Sequence, residues 1–211
     1  MKRISEERKR IDAYRFQLGA ADFFNDRSLK EDWEWLILSY FGDILSSTGL
    51  ETPEYAQKLA TPAPDFQTYL ANKSPYRQVE VTEVIRSGYR RNAFHRQLAA
   101  SGVNCYDPLD PRPNPWSSFL HVLRKKLAKP YSSDTWLLIY HDMPDSEFHD
   151  NYSTWHERLL GVLRRWTYDS PNTCDVTRSN YNSIFVVDCT GEAALRLHPH
   201  WDIIKPAALI W

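Results

Sequence analysis

The stretch that decides the fold begins with Pro64-Asp65-Phe66 and ends with Val79-Glu80-Val81-Thr82-Glu83. Between these two segments lies the turn Asn72-Lys73-Ser74-Pro75. We predict strands at 66–70 and 76–84, joined as a hairpin, because the intervening turn carries Asn, Ser and Pro. Strand side chains alternate between the two faces, so Glu80 and Thr82 share one face. Val79 and Val81 share the other face, which the pattern predicts to be the core.

This hairpin is a candidate metal site. Asp65 lies where the first strand begins, so strand pairing can place its carboxylate beside that of Glu80. Carboxylates held on rigid strands suit hard cations such as magnesium or manganese. Such an ion polarises a phosphoryl oxygen and lowers the pKa of a bound water. The alternative interpretation is structural: Asp65 caps the turn after Pro64, and Glu80 is exposed on a half-buried strand.

The elements around the hairpin predict an α/β fold. Continuous apolar runs at 135–140 and 183–188 indicate strands that are buried on both faces. Apolar periodicity and turn signals predict the remaining elements, which are helices at 4–25, 29–46, 53–60, 89–100, 116–128 and 153–166 and an edge strand at 194–197. Their order predicts a mixed central sheet flanked by helices on both faces. We expect a helical arm over 1–28 and one domain over 29–211.

Composition excludes several classes of protein. The chain has 26 Lys and Arg against 27 Asp and Glu, so any nucleic-acid contact must use a local basic patch. Its 3 cysteines are widely spaced, which argues against a zinc site or a disulfide framework. No apolar run approaches the ~20 residues of a membrane span, and the charged first residues do not suit a signal peptide. We therefore expect a cytoplasmic protein with no membrane contact.

The hairpin resembles a known nuclease signature. Pro64-Asp65, a spacer and then Glu80-Val81-Thr82 are similar to the Pro-Asp and Glu-x-Lys motifs of the PD-(D/E)xK nuclease superfamily. The resemblance is good over the hairpin and extends loosely over 29–140. It implies a restriction-endonuclease-like fold and magnesium-dependent cleavage of DNA, often by a homodimer. It also implies that Asp65 and Glu80 bind Mg²⁺ or Mn²⁺, together with the carbonyl of Val81.

A glutamate on the preceding helix often joins such sites. Glu34 is the candidate here, because it lies one helical turn before Ile37 and Leu38, at the edge of the predicted buried face. Asp32 and Glu31 are weaker candidates on the same helix.

The sequence departs from the signature at Thr82, which stands where the family has a lysine. A hydroxyl group cannot supply positive charge to an attacking water or to a phosphate. We expect that charge to come from Lys73 in the turn or from a basic segment just downstream, whose arginines can bind phosphates bidentately; these are Arg86, Arg90, Arg91 and Arg96. The basic cluster of Arg124, Lys125, Lys126 and Lys129 is interpreted as cations at a helix C-terminus, where they favour the macrodipole.

Two functional hypotheses follow. The first is a metal-dependent endonuclease in which Asp65, Glu80 and Glu34 form the acidic site. The second is a catalytically inactive nuclease-like module that binds nucleic acid or a protein partner, which the absence of the lysine favours. A third, weaker hypothesis is a structural α/β domain that binds no metal. The sequence contains no P-loop, nucleophile elbow or dinucleotide-binding fingerprint.

Overall fold

The computed structural model of the chain describes residues 1–19, 23, 26–60, 62–84, 115–141, 179–188, 194–198 and 202–204. The helices with described bounds are α1 (Ile4–Leu18), α2 (Lys30–Ser47) and α3 (Pro115–Leu127), and a 3-10 turn at Arg27–Leu29 precedes α2. The strands are β1 (Lys2–Arg3), β2 (Tyr55–Lys58), β3 (Phe66–Tyr69), β4 (Pro75–Val84), β5 (Thr135–His141), β6 (Ser183–Asp188), β7 (Ala194–His198) and β8 (Asp202–Ile204).

The strands form one sheet, in which they lie side by side in chain order from β1 to β8. The central strands β4, β5 and β6 are parallel, and the strands on either side are antiparallel to their neighbours. The predicted α/β class with a mixed central sheet is therefore confirmed.

Helix α2 covers one face of the sheet because its apolar side chains recur at helical spacing. Trp33, Ile37, Phe41 and Ile44 are buried, and they belong to one core cluster with Val79 and Val81 of β4 and with apolar side chains of β5 and β6. The Phe41 ring packs against Phe185 of β6 with 4.6 Å between ring centroids. Burial of each such side chain contributes about 1.5–3 kcal/mol to folding.

Helix α3 contacts the opposite face of β4. It begins at Pro115, a residue that is favoured at the first helical position because its missing N–H has no partner there. Its buried side chains are Phe119, Leu120 and Leu123. Its last turn carries Lys126, which reaches Glu80 of β4.

Helix α1 packs on α2 through buried Ile11 and through the ion pairs of its arginines, among them Arg8 with Asp43. It ends at Gly19, whose φ of 83° is a conformation that suits glycine at a helix terminus. The predicted helix over 4–25 is thus described over Ile4–Leu18.

Two predicted elements differ from the structure. Residues 53–60 do not form a helix, because Tyr55–Lys58 is a strand paired with β3 on one side and β1 on the other. Pairing within the sheet outweighs the weak local preference of so short a segment. The segment 194–197 is not an edge strand, because β7 pairs with both β6 and β8. The helices predicted at 89–100 and 153–166 lie outside the described residues. In the ranges that are described, no helix is long and apolar enough to cross a membrane.

Candidate acidic site

Asp65 is fixed at the start of β3 by contacts on both sides of its carboxylate. Its Oδ2 accepts a hydrogen bond of 2.8 Å from the backbone N–H of Val81, and its Oδ1 accepts one of 3.2 Å from Lys58 Nζ. The backbone carbonyl of Asp65 also accepts a hydrogen bond from Leu59 N–H at 2.9 Å. The carboxylate therefore connects β3 to β2 and β4, and the interpretation that it only caps its own turn is wrong.

Glu34 is almost fully buried, with 3% of its surface exposed, although it is an acidic residue on a helix. Its carboxylate forms an ion pair with Lys58 and a second one, of 3.0 Å, with Lys30 one turn earlier on α2. Lys58 thus contacts both Glu34 and Asp65. The sequence prediction that Glu34 joins a metal site stays a prediction; the structure places Glu34 and Asp65 at the same lysine.

Glu80 lies on the face of β4 opposite Val79 and Val81, as strand alternation predicts, and only 3% of its surface is exposed. Its Oε1 accepts hydrogen bonds from Lys126 and, at 3.0 Å, from Lys129. Glu80 is therefore not an exposed residue of a half-buried strand. Burying a carboxylate is unfavourable unless it is paired, and here two ammonium groups supply the pairing.

Two tyrosines contact the lysines that pair with Glu80. Lys129 Nζ donates a hydrogen bond of 2.7 Å to the hydroxyl of Tyr131, and the Tyr181 hydroxyl donates one of 3.2 Å to the carbonyl of Lys126. The Tyr131 and Tyr181 rings are edge to face with 5.7 Å between centroids. Burial and the negative charge of Glu80 raise the pKa of Tyr181, so its hydroxyl stays protonated near neutral pH.

The pKa values of Asp65 and Glu80 are shifted in opposite directions. Burial, together with the negative charges of Glu34 and Glu80, raises the pKa of Asp65. Burial also acts to raise the pKa of Glu80, but the hydrogen bonds and positive charges of Lys126 and Lys129 outweigh it and lower that pKa. Carboxyl groups with opposed pKa shifts occur at sites of proton transfer, and structural ion-pair networks also produce them.

Positive charge reaches the acidic site from lysines that the sequence interpretation did not assign to it. Lys58 was placed in a predicted short helix, whereas its strand β2 carries it beside Glu34 and Asp65. Lys126 and Lys129 were assigned to the helix macrodipole. Their spacing of three residues puts both on one side of the C-terminus of α3, and this was the available signal that they act together.

Other predicted site residues are placed differently. Thr82 is half-buried and follows Glu80 on the same face of β4. Lys73 lies at the far end of the hairpin from Asp65, in the turn that joins β3 to β4, where its Nζ is 5.9 Å from the Tyr55 ring centroid. The structure thus does not bring Lys73 to the carboxylates. Arg86, Arg90, Arg91 and Arg96 lie outside the described residues.

The donor chemistry of Glu34, Asp65 and Glu80 suits a hard cation, because carboxylate oxygens are the preferred ligands of magnesium and manganese. Ammonium groups hold these oxygens, and among the described residues no group of 3 or more His, Cys, Asp and Glu side chains is arranged to hold a metal ion. The carboxylates therefore fit the ion by their chemistry and would have to rearrange to bind it. No family model, curated protein or solved structure matches the chain.

Proposed function

We propose that this protein is a metal-dependent nuclease with a restriction-endonuclease-like core that cleaves phosphodiester bonds of DNA. The observation that supports it is that Asp65 is hydrogen-bonded to the N–H of Val81, the residue after Glu80, and that the negative charges of Glu34 and Glu80 both act on Asp65 and raise its pKa. The helix that carries Glu34 and the hairpin that carries Asp65 and Glu80 occur in the order that the PD-(D/E)xK resemblance implies.

Burial of the glutamates argues that they serve more than stability. Ion pairs inside a protein contribute little net stability, because desolvation of both charges offsets their attraction. Replacing both partners of a buried ion pair by apolar residues is often neutral or stabilising, and Glu34 and Glu80 are each only 3% exposed. The pKa of Asp65 is raised by burial and by the charges of Glu34 and Glu80. A group of buried carboxylates of this kind suits a site that binds a cation.

In this proposal Asp65 and Glu80 hold the magnesium or manganese ion, with the carbonyl of Val81 as a further oxygen ligand and Glu34 beside them. When bound, the ion polarises a phosphoryl oxygen and lowers the pKa of a water. Lys126 supplies the positive charge that Thr82 cannot, because it is held at Glu80 and can stabilise negative charge on the phosphate oxygens.

The test compares cleavage of a fluorescently labelled DNA duplex by the wild-type protein and by Asp65→Asn, with Mg²⁺ or Mn²⁺. Asp65→Asn keeps the shape of the side chain and removes its charge, so we expect the rate to fall at least about 100-fold. Asp134→Asn is the matched control, because Asp134 is 73% exposed and pairs with Arg77 near the start of β4. Equal cleavage by Asp65→Asn and the wild type would reject the assignment.

A second candidate function is an inactive module that binds nucleic acid or a protein partner. The observation that favours it is that Glu34, Asp65 and Glu80 are all paired with lysines already. This function predicts no cleavage with either metal. DNA binding that weakens steeply with salt would then indicate a nucleic-acid partner.

A further inference from the structure

Lys58 holds a position between two carboxylates. It is the last residue of β2, and its Nζ contacts Glu34 Oε2 on one side and Asp65 Oδ1 at 3.2 Å on the other. The Phe66 ring lies beneath it, with 4.5 Å from Nζ to the ring centroid. A single positive charge is thus shared between two acidic groups and an aromatic face, both of which attract cations.

We infer that Lys58 is a resident cation that competes with the divalent metal for Asp65, so that metal binding requires the ammonium group to move away. The inference rests on the proposed function, in which Asp65 is a metal ligand. Oδ1 is the oxygen at which the two cations would compete, because Lys58 Nζ contacts Oδ1 while Oδ2 already accepts a hydrogen bond from the N–H of Val81. An ammonium group at 3.2 Å from Oδ1 repels a second cation at that oxygen.

The surroundings of Lys58 allow this movement. Its side chain is 28% exposed and has a flexible four-carbon stem, so the ammonium group can swing into solvent. Glu34 would not be left unpaired, because Lys30 remains 3.0 Å from its Oε1. Glu80 would keep Lys126 and Lys129, which both contact its Oε1, so its Oε2 is the oxygen that would serve the ion. Displacement of Lys58 therefore frees Asp65 and leaves the other ion pairs in place.

The test measures the dissociation constant of Mn²⁺ by titration calorimetry in the full-length protein. Lys58→Met removes the charge and keeps much of the volume, so we expect Mn²⁺ to bind at least about tenfold more tightly, since a nearby unit charge is removed. Lys58→Arg keeps the charge and should bind close to the wild-type affinity. Lys30→Met is the matched control: it removes a lysine whose ion pair is with Glu34 and which acts on Asp65 only through its charge at longer range, so its effect should be smaller.

A second measurement uses the wild-type protein and does not depend on the variant's folding. Lysines are acetylated briefly with and without Mn²⁺, and the modification of each is read by mass spectrometry. Mn²⁺ should raise the modification of Lys58 several-fold. It should leave that of Lys2, which is 56% exposed and pairs with Glu7, unchanged.

The outcomes separate this inference from the proposed function. If the wild type binds Mn²⁺ but Lys58→Met binds it no more tightly, or Mn²⁺ leaves Lys58 acetylation unchanged, the inference is overturned and the metal site stands. If neither protein binds Mn²⁺, both are overturned.

Discussion

The Asp65 carboxylate accepts a hydrogen bond from the backbone N–H of Val81, the residue that follows Glu80 on β4. This contact joins the two parts of the nuclease-like signature, Asp65 and Glu80-Val81, immediately before the first residue of β3. The N–H and C=O of one strand residue point to the same side, so the carbonyl of Val81 faces the side on which Asp65 lies. The geometry therefore supports the carbonyl ligand that the resemblance implies.

Glu34→Gln should lower the pKa of Asp65. The pKa is raised first by burial and then by the charges of Glu34 and Glu80, so removing one negative neighbour favours the ionised form. Carboxyl-carbon NMR during a pH titration measures the change. Glu54→Gln, at a site paired with Arg3, is the control and should leave the pKa of Asp65 unchanged. An unchanged or higher pKa in Glu34→Gln would contradict the arrangement.

Glu80→Gln should destabilise the protein by about 1–3 kcal/mol at pH 7, because Lys126 and Lys129 lose their charged partner. The pKa of Glu80 is lowered in the folded protein, so the contribution of its ion pairs is complete above the ordinary pKa of about 4.3. That contribution is lost as the pH falls through the lowered value.

Urea unfolding of the wild type and Glu80→Gln at several pH values measures this dependence. The stability difference should be constant between about pH 5 and 7 and should shrink below about pH 4. Glu80→Gln also removes one of the negative charges that raise the pKa of Asp65, a smaller effect than the loss of the partner of two lysines. A difference that grows toward low pH would show that the lysines do not stabilise the ionised carboxylate.

Lys126→Met should reduce DNA cleavage about 10- to 1,000-fold if Lys126 supplies the missing positive charge. Thr82→Lys in the same protein should restore part of the rate, because residue 82 shares a strand face with Glu80. Single-turnover cleavage rates measure both effects. Lys125→Met, at the exposed neighbouring position, serves as the control. Failure of Thr82→Lys to restore any activity would indicate that Lys126 acts through structure rather than charge.

The central strands β4, β5 and β6 and the position of α2 could be predicted from the sequence because their signals are strong. The apolar runs in β5 and β6 and the periodic face of α2 have few alternatives once a core must form. The placement of Glu34 beside that face follows from the same helical spacing, whereas its part in a metal site stays a prediction. These elements agree with the structure.

The lysines of the site could not be predicted, because their roles depend on contacts between distant parts of the chain. Lys58 lies on β2, a strand that forms because it pairs with β1 and β3. The four residues of β2 carry no strong local signal for a strand. Lys126 reaches Glu80 from 46 residues away in sequence, which requires α3 to dock on that face of β4. Sequence spacing alone does not specify such docking.

The most direct test of the acidic site is a crystal structure of the protein soaked with Mn²⁺, with the ion located by its anomalous scattering. We expect an anomalous peak at about 2.0–2.3 Å from carboxylate oxygens of Asp65 and Glu80, with the Lys58 ammonium group moved away from Asp65. The metal-site proposal would be contradicted by a structure with no Mn²⁺ at Asp65 and Glu80 and with Lys58 still between Glu34 and Asp65, if the protein also cleaves no DNA at that Mn²⁺ concentration.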